Sequence, residues 1–475
     1  MSLDGTTSCV TSRASAQWRT DVLARLTLTQ AAQGLQSRQW TVPDIVDDVL
    51  RQAHGVGAAH NAFLSVFDEH ARSLARAHTG HDTRPLAGVP LSLKDDLFTA
   101  GLRTTGGSPQ LQDFVPTADA PAVARLRKAG AIVFGKTNLS DFAMSLAHGS
   151  SLGGPCRNPW DPARSAGASS SGAACAVAAG IGAVAIATDT GGSIRYPAAL
   201  CGVLGFAPSN GRVPRHGSFG ANRFFCAIGV LARDVRDVAK LLAVMSGADP
   251  SDAETARHPQ PLLSDALDAT RAQGLRVGVL DTGTAPTPRG RAIDALWRTT
   301  MSNLARERRW AMEPVALDFS TSGHAFKVIS DADRLSLMTR SGTLAHLDEA
   351  LLPDALRQRF EHARGLSEAD VARAMAERAS FTARIDTLFG THDLLIGLTH
   401  HDVAPLLSET GVPFELAWTN LAGCPAASVP LGLVDGLPIG LHIVARPGHD
   451  ETVLNACAAL QASWAPEGFS AAPGR

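Results

Sequence analysis

Apolar residues recur at helical spacing from Asp21 to Gln33 and again from Val42 to His54, where Pro43 sits in a first turn that accepts it. The same spacing predicts a third helix from Ser65 to His78, completing an outer helical layer. The texture changes at residues 84–100, RPLAGVPLSLKDDLFTA. Leu91, Leu93 and Leu97 surround Lys94 there, so a lysine is inserted into what otherwise reads as a buried strand. A helix over 120–129 and a strand from Ala131 to Gly135 follow, and residues 148–168 read as a loop.

Residues 165–196 then place hydroxyls at both ends of a run made almost wholly of Ala, Gly and Val. That run predicts a helical packing rod holding two polar loops in fixed relation, since small side chains let a helix approach its neighbours closely. Beyond it come a short apolar segment and turn at 200–213, and a loop at 214–226 holding Phe219, Phe224 and Phe225. A helix at 233–246 and a Pro-, Asp- and Ser-rich connector near 247–265 precede a buried strand from Leu275 to Leu280. Helical patterns occupy 290–308 and 326–389, the latter broken at Pro353 and Gly365. Strands return at 393–398, 426–433 and 439–445, and a helix at 450–463 closes the pattern.

This alternation predicts an α/β fold with a mixed, twisted sheet. Strand signals lie in both halves with no linker between them, so one large domain over 21–475 is expected, behind a flexible N-terminal segment over 1–20. At 475 residues, 45% hydrophobic and 19% charged, the chain has the composition of a soluble enzyme. A net charge of −2 gives no case for nucleic acid or an acidic membrane surface. Seven dispersed cysteines without a CxxC pair indicate neither a zinc site nor a disulfide framework, but buried thiols in a reducing compartment. The first twenty residues lack an apolar leader core, and the apolar run 173–187 is too short and weak to span a bilayer. A cytoplasmic location is expected, with no cofactor and no metal.

Gly191-Gly192-Ser193 puts a hydroxyl directly after two residues without side chains. Consecutive backbone N–H groups can there point into one hole, as an oxyanion requires; a tight turn with an incidental serine is the alternative. Gly149-Ser150-Ser151-Leu152-Gly153 matches the G-x-S-x-G pattern formally, but no buried strand precedes it and Pro155 and Pro159 follow where a helix is needed. A serine nucleophile needs a base, and the nearest histidines, His148 and His216, lie in loops. Lys94 is costlier, since holding it neutral at pH 7 takes roughly 4–5 kcal/mol. Burial among leucines supplies part of that; a snorkelling or salt-bridged lysine is the competing reading. In a strand, Asp95 points to the opposite face.

Lys94 in PLAGVPLSLKD, the serines of GASSSG, and the serine of DTGGSIR twenty-four residues after Ser169 together closely resemble the amidase signature family. GAIVFGKTN (130–138), RNPWDP (157–162), CGVLGFAPSNGRVPRHG (201–217), NLAGCPAASVPLG (420–432) and GLPIGLHIV (436–444) extend the resemblance, in the family's order, over most of the chain. It implies a single-domain fold with helices on both faces of the sheet and a Ser–cisSer–Lys triad. Ser193 matches the nucleophile, Ser169 the serine whose peptide bond is cis, and Lys94 the base. The amides of Thr190, Gly191, Gly192 and Ser193 would hold the oxyanion, with Ser170, Asp189 and Arg195 bracing the site. The family usually has GGSSGG where this chain has Ala168 and Ser171 in place of two glycines; the spacing to Ser193 favours Ser169.

Leu398-Thr399-His400-His401-Asp402 stands where many relatives carry a Thr/Pro-rich loop. Adjacent side chains of this kind rarely converge on a metal without a third ligand. His400 is instead a candidate for the substrate pocket, together with Phe219, Phe224, Phe225 and Trp418, for which core packing is an equal reading. Three functions remain open: a free-standing amidase cleaving a small or aryl carboxamide, the ammonia-releasing subunit of a tRNA-dependent amidotransferase, and a silent relative acting as a binding module. The altered GASSSG and LTHHD segments favour the first. The expected partner is a small-molecule amide, not nucleic acid or membrane, and a homodimer is an open assembly state.

Overall fold

Alternate side chains of single strands enter different apolar clusters, and this fixes the layering. The computed structural model describes residues 26–78, 82–144, 148–258, 267–319, 322–409 and 416–465. Its strands are β1 (Phe63–Val66), β2 (Pro90–Lys94), β3 (Ile132–Thr137), β4 (Gly149–Ser150), β5 (Gly154–Pro155), β6 (Val184–Asp189), β7 (Leu204–Ala207), β8 (Ala227–Ala232), β9 (Arg276–Val279), β10 (Ala311–Pro314), β11 (Leu394–Leu398), β12 (Ala426–Val434) and β13 (Leu437–Val444). Eleven of them form one sheet, in the order β1-β3-β2-β6-β8-β7-β12-β13-β11-β9-β10. β2 runs parallel to β3 and β6, and β9 to β10 and β11, while the pairs around β7, β8, β12 and β13 are antiparallel. The sheet is mixed.

In β6, Val184 and Ile186 join the cluster that holds Val123, Leu126, Val238 and Leu241 from helices Pro121–Lys128 and Val235–Met245. Ala185 and Ala187 point the other way, into the cluster of helices Ser171–Ala178 and Arg195–Cys201. The two-residue period of a strand thus buries both faces under helices, as a parallel-rich sheet requires. The same split recurs in β11, where Leu394 and Ile396 face one cluster and Leu395 another.

The packing rod proves shorter than its sequence suggests. Helix Ser171–Ala178 ends where Gly180 and Gly182 take φ of 79° and 74°, and the chain then extends as β6 in the middle of the sheet. An Ala/Val-rich run carries no period that separates a buried helix from a buried strand; the two left-handed glycines make the break. Gly172 shows why the helix is built of small residues, since an added Cβ would lie 2.2 Å from the Ala62 carbonyl oxygen. β1, β7, β8, the edge strand β10 and the short pair β4 and β5, which falls in the segment expected as a loop, are six further strands that the periodicity does not mark. β1 occupies the start of the segment expected to be helical from Ser65, and the helix itself spans Asp68–Ala77. The breaks at Pro353 and Gly365 separate helices Ser322–Arg340, Asp354–Gly365 and Glu368–Thr391. Residues 1–20 and Cys9 lie outside the described residues; the six described cysteines are all buried and unbridged.

Candidate active site

β2 ends on Lys94 and β6 on Asp189, and because the two strands are neighbours their ends open the same region of the sheet. Lys94 is wholly buried. Its Nζ lies 2.7 Å from Ser169 Oγ and 2.8 Å from Thr188 Oγ1, and the Thr188 hydroxyl donates to Asp96 Oδ2 at 2.6 Å. Burial holds the Lys94 amine below its ordinary pKa, against the opposing pull of Asp96. Asp95 turns to the other side, where its backbone and side-chain bonds from Thr105 and its nearness to Lys136 place it in a separate buried group. The peptide bond between Ala168 and Ser169 is cis.

Asp189 organises the turn that follows β6. Its carboxylate accepts from the amides of Gly192 at 2.7 Å and Ile194 at 3.0 Å, and from Arg195 Nε and Nη2 at 3.1 and 3.0 Å. Burial pushes this carboxyl up, but the Arg195 charge and the donated bonds outweigh it and hold it well below the usual range. Arg195 in turn donates to Thr419 Oγ1, Asn420 Oδ1 and His442 Nε2. His442 is kept neutral, first by burial and then by Arg195.

This arrangement corrects the expected oxyanion hole at one position. The Gly192 N–H is taken by Asp189, whereas among the described residues the amides of Thr190, Gly191 and Ser193 have no acceptor. Ser193 is half-buried, and its carbonyl accepts the Ser170 N–H at 3.2 Å, which ties the Ser193 loop to the serine run. Its hydroxyl makes no hydrogen bond to a described residue, whereas Ser169 and Lys94 are joined directly.

The Amidase family profile matches residues 44–454. The chain belongs to the amidase signature family. It is 35% identical over 466 residues to the A subunit of glutamyl-tRNA(Gln) amidotransferase from Roseiflexus sp. (strain RS-1), covering 91% of this chain and 95% of that one. The peptide amidase of Stenotrophomonas maltophilia superposes with a TM-score of 0.83 at 26% identity, covering 95% of this chain and 99% of the other. The A subunit of glutamyl-tRNA(Gln) amidotransferase from Thermotoga maritima does so with a TM-score of 0.76 at 26% identity, over 92% and 95%.

A cavity of about 410 Å³ adjoins the Gly191 turn of this family member. Phe326 and Ala417 line it, and an added Cβ on Gly191 would lie 3.0 Å from the Phe326 ring and 3.6 Å from Ala417 Cβ. Met144, Lys327, Asp331 and Arg359 are among the other residues that line it. None of the five expected pocket residues is among those lining it. Phe219 is edge-on to Phe98 and Phe142, Phe225 stacks behind Phe326, Trp418 is buried in the same cluster, and Phe224 lies under Arg223 and Arg378. These rings lose more water by packing on one another than by facing a wet cavity. His400 is edge-on to Tyr196 with ring centroids 5.1 Å apart, while His401 bonds the Thr282 carbonyl and Asp402 pairs with Arg289. The three side chains thus part company, and among the described residues no group of three or more His, Cys, Asp or Glu is placed to hold a metal. No helix among those residues is long and apolar enough to cross a membrane.

The G-x-S-x-G segment is structural. Ser150 Oγ accepts the Gly153 N–H at 2.8 Å within the β4–β5 hairpin, and Ser151 Oγ donates to Asp141, outside it, at 2.9 Å. Sequence reading missed Thr188, Asn420 and Arg334, whereas Asp96 is the acid expected to oppose a neutral Lys94 if it faced that way, and it does. Thr188 precedes the DTGGSIR motif and Asn420 opens the NLAGCPAASVPLG segment, so position alone marked them; nothing marked Arg334.

Proposed function

We propose that the chain cleaves an amide C–N bond through an acyl-enzyme on Ser193, with Ser169 and Lys94 as its proton relay. The 2.7 Å contact between the buried Lys94 amine and Ser169 Oγ carries this reading. Ser193 Oγ passes its proton to Ser169 as the Ser169 proton moves to the Lys94 lone pair, and the Ser193 oxygen attacks the amide carbon. The amides of Thr190, Gly191 and Ser193 receive the oxyanion, each such donor contributing about 3 kcal/mol to the transition state. Lys94 and Ser169 return the proton to the leaving nitrogen, ammonia or an amine departs, and water then releases the acid by the same relay. The relay requires Ser193 Oγ to close on Ser169 when substrate is bound, a tightening common in complexes.

For the substrate, the full-length relatives favour the ammonia-releasing subunit of a tRNA-dependent amidotransferase over the free-standing amidase. They match at 33–35% identity along nearly the whole chain, and several carry that subunit's name. The free-standing reading retains one specific support, the higher TM-scores to the peptide amidase and to a bacterial aryl acylamidase, 0.83 and 0.81 against 0.76 for the amidotransferase protein. Ammonia release from glutamine, measured beside amine release from aryl and peptide amides with Ser193→Ala as control, separates the two. Glutamine turnover that rises when partner subunits and ATP are supplied supports the first. Aryl amide turnover by the isolated chain, with glutamine untouched, overturns it.

A further inference from the structure

Arg334 lies on helix Ser322–Arg340, is 1% exposed, and pairs with no carboxylate among the described residues. Its Nη1 donates to the Phe142 carbonyl at 3.0 Å and its Nη2 to Thr190 Oγ1 at 3.2 Å, while Nε is buried without a partner among those residues. A guanidinium taken from water without a counter-ion is costly unless a nearby charge balances it.

That charge lies one layer away. Thr190 Oγ1 donates to the Gly220 carbonyl at 3.4 Å, and Gly220 sits on the Lys94 group, where an added Cβ would lie 2.4 Å from Asp96 Oδ2 and 3.2 Å from Thr188 Oγ1. The charged and titratable groups acting on Lys94 are Asp96, Cys226, Arg334 and Asp189. Asp189 is answered by Arg195 in direct contact, and burial pushes the Cys226 thiol up, so it stays uncharged. Asp96 and Arg334 therefore remain as the two opposite charges, and a protonated Lys94 would add an unbalanced cation where no solvent reaches. On the Arg334 side, burial and then Arg359 lower the guanidinium to about 10, which still leaves it a cation at neutral pH. Asp333, the remaining acid near it, is engaged by Arg223.

Arg334 also joins two walls. Phe142 and Ala143 take φ of 50° and 55°, a left-handed pair of non-glycine residues, and Met144 beyond them lines the cavity. We propose that Arg334 is a positioning residue of this site: its guanidinium is the counter-charge of Asp96, leaving Lys94 uncharged, and its two donated bonds fix the Thr190 turn against the Phe142–Met144 wall. This rests on the amide-cleaving reading above.

The test follows the rate at which an alkyl fluorophosphonate labels Ser193, measured against pH in the wild type, Arg334→Met and Arg334→Lys. Labelling needs the Lys94 free base, so its rate rises with pH through the Lys94 titration. Removing a neighbouring cation raises that titration, so Arg334→Met moves the rise up by about one pH unit, equivalent to about tenfold in rate below it. Arg334→Lys restores the wild-type position. A lower rate with an unmoved rise in Arg334→Met, or an equal displacement in Arg334→Lys, overturns the proposal. If Arg334→Met does not fold, Asp96→Asn tests it from the other side: the rise moves to lower pH, and an unmoved or raised profile overturns it. A wild type that takes no label on Ser193 defeats the amide-cleaving reading itself.

Discussion

Lys94 Nζ and Asp96 Oδ2 lie 3.7 Å apart, both wholly buried, with the Thr188 hydroxyl between them, accepting from the amine and donating to the carboxylate. A direct ion pair here would hold the lysine proton; the intervening hydroxyl satisfies the carboxylate without asking for a charge on the amine. Thr188→Val removes the bridge and leaves a buried carboxylate facing Lys94. The expected outcome is a rise in the pH needed for activity and a loss of about tenfold in kcat at neutral pH, read from a pH–rate profile. An unchanged profile would show that Thr188 only packs.

Lys94 is placed to serve chemistry rather than stability, since its burial opposes its charge and no ion pair closer than that to Asp96 repays it. Lys94→Met keeps most of the side-chain volume. It is expected to lower turnover by about 10²–10⁴-fold, the range for loss of a positioned base, with the thermal unfolding midpoint close to wild type. Equal losses of turnover and of thermal stability would make Lys94 structural.

Asp189 combines a buried ion pair with the anchoring of the Gly192 and Ile194 amides. Asp189→Asn leaves Arg195 buried without its counter-charge and should destabilise the fold by about 3–5 kcal/mol, measured by denaturant unfolding. Because the folded carboxyl is held below its usual range, its contribution is complete above about pH 4, the unfolded value, and is lost as the pH falls through the folded one. The wild type should therefore lose this stability only in acid, and the variant should lack that part of the acid slope.

Phe326 stands between the Gly191 turn and the cavity. Phe326→Ala enlarges the cavity where the acyl group would sit, and should raise KM more than it lowers kcat. The opposite split, with kcat lost and KM held, would place the acyl group elsewhere.

The sequence made most of the architecture readable where local pattern and tertiary environment agree. The β11, β12 and β13 strands and the long helices follow from periodicity alone, and Pro353 and Gly365 break their run as their backbone chemistry demands. β6 was hidden because its Val, Ala and Ile residues suit a buried helix as well as a buried strand, and only the left-handed Gly180 and Gly182 separate the two. At the site, Lys94 announced itself as a charge inside an apolar strand. The pocket did not, because an aromatic residue looks the same in sequence whether it faces a ligand or, like Phe225 on Phe326, another ring. Arg334 comes from a helix more than 140 residues beyond Thr190, and that proximity is a property of the packed fold alone.

Activation of Ser193 by Lys94 through Ser169 is the step on which the proposed chemistry depends. The most direct measurement is peptide mapping of the fluorophosphonate adduct, with its rate of formation, in the wild type, Lys94→Met and Ser169→Ala. A single adduct on Ser193 in the wild type, formed at least a hundredfold more slowly in both variants, is the predicted result. An adduct on any other residue, or wild-type rates in either variant, would contradict it.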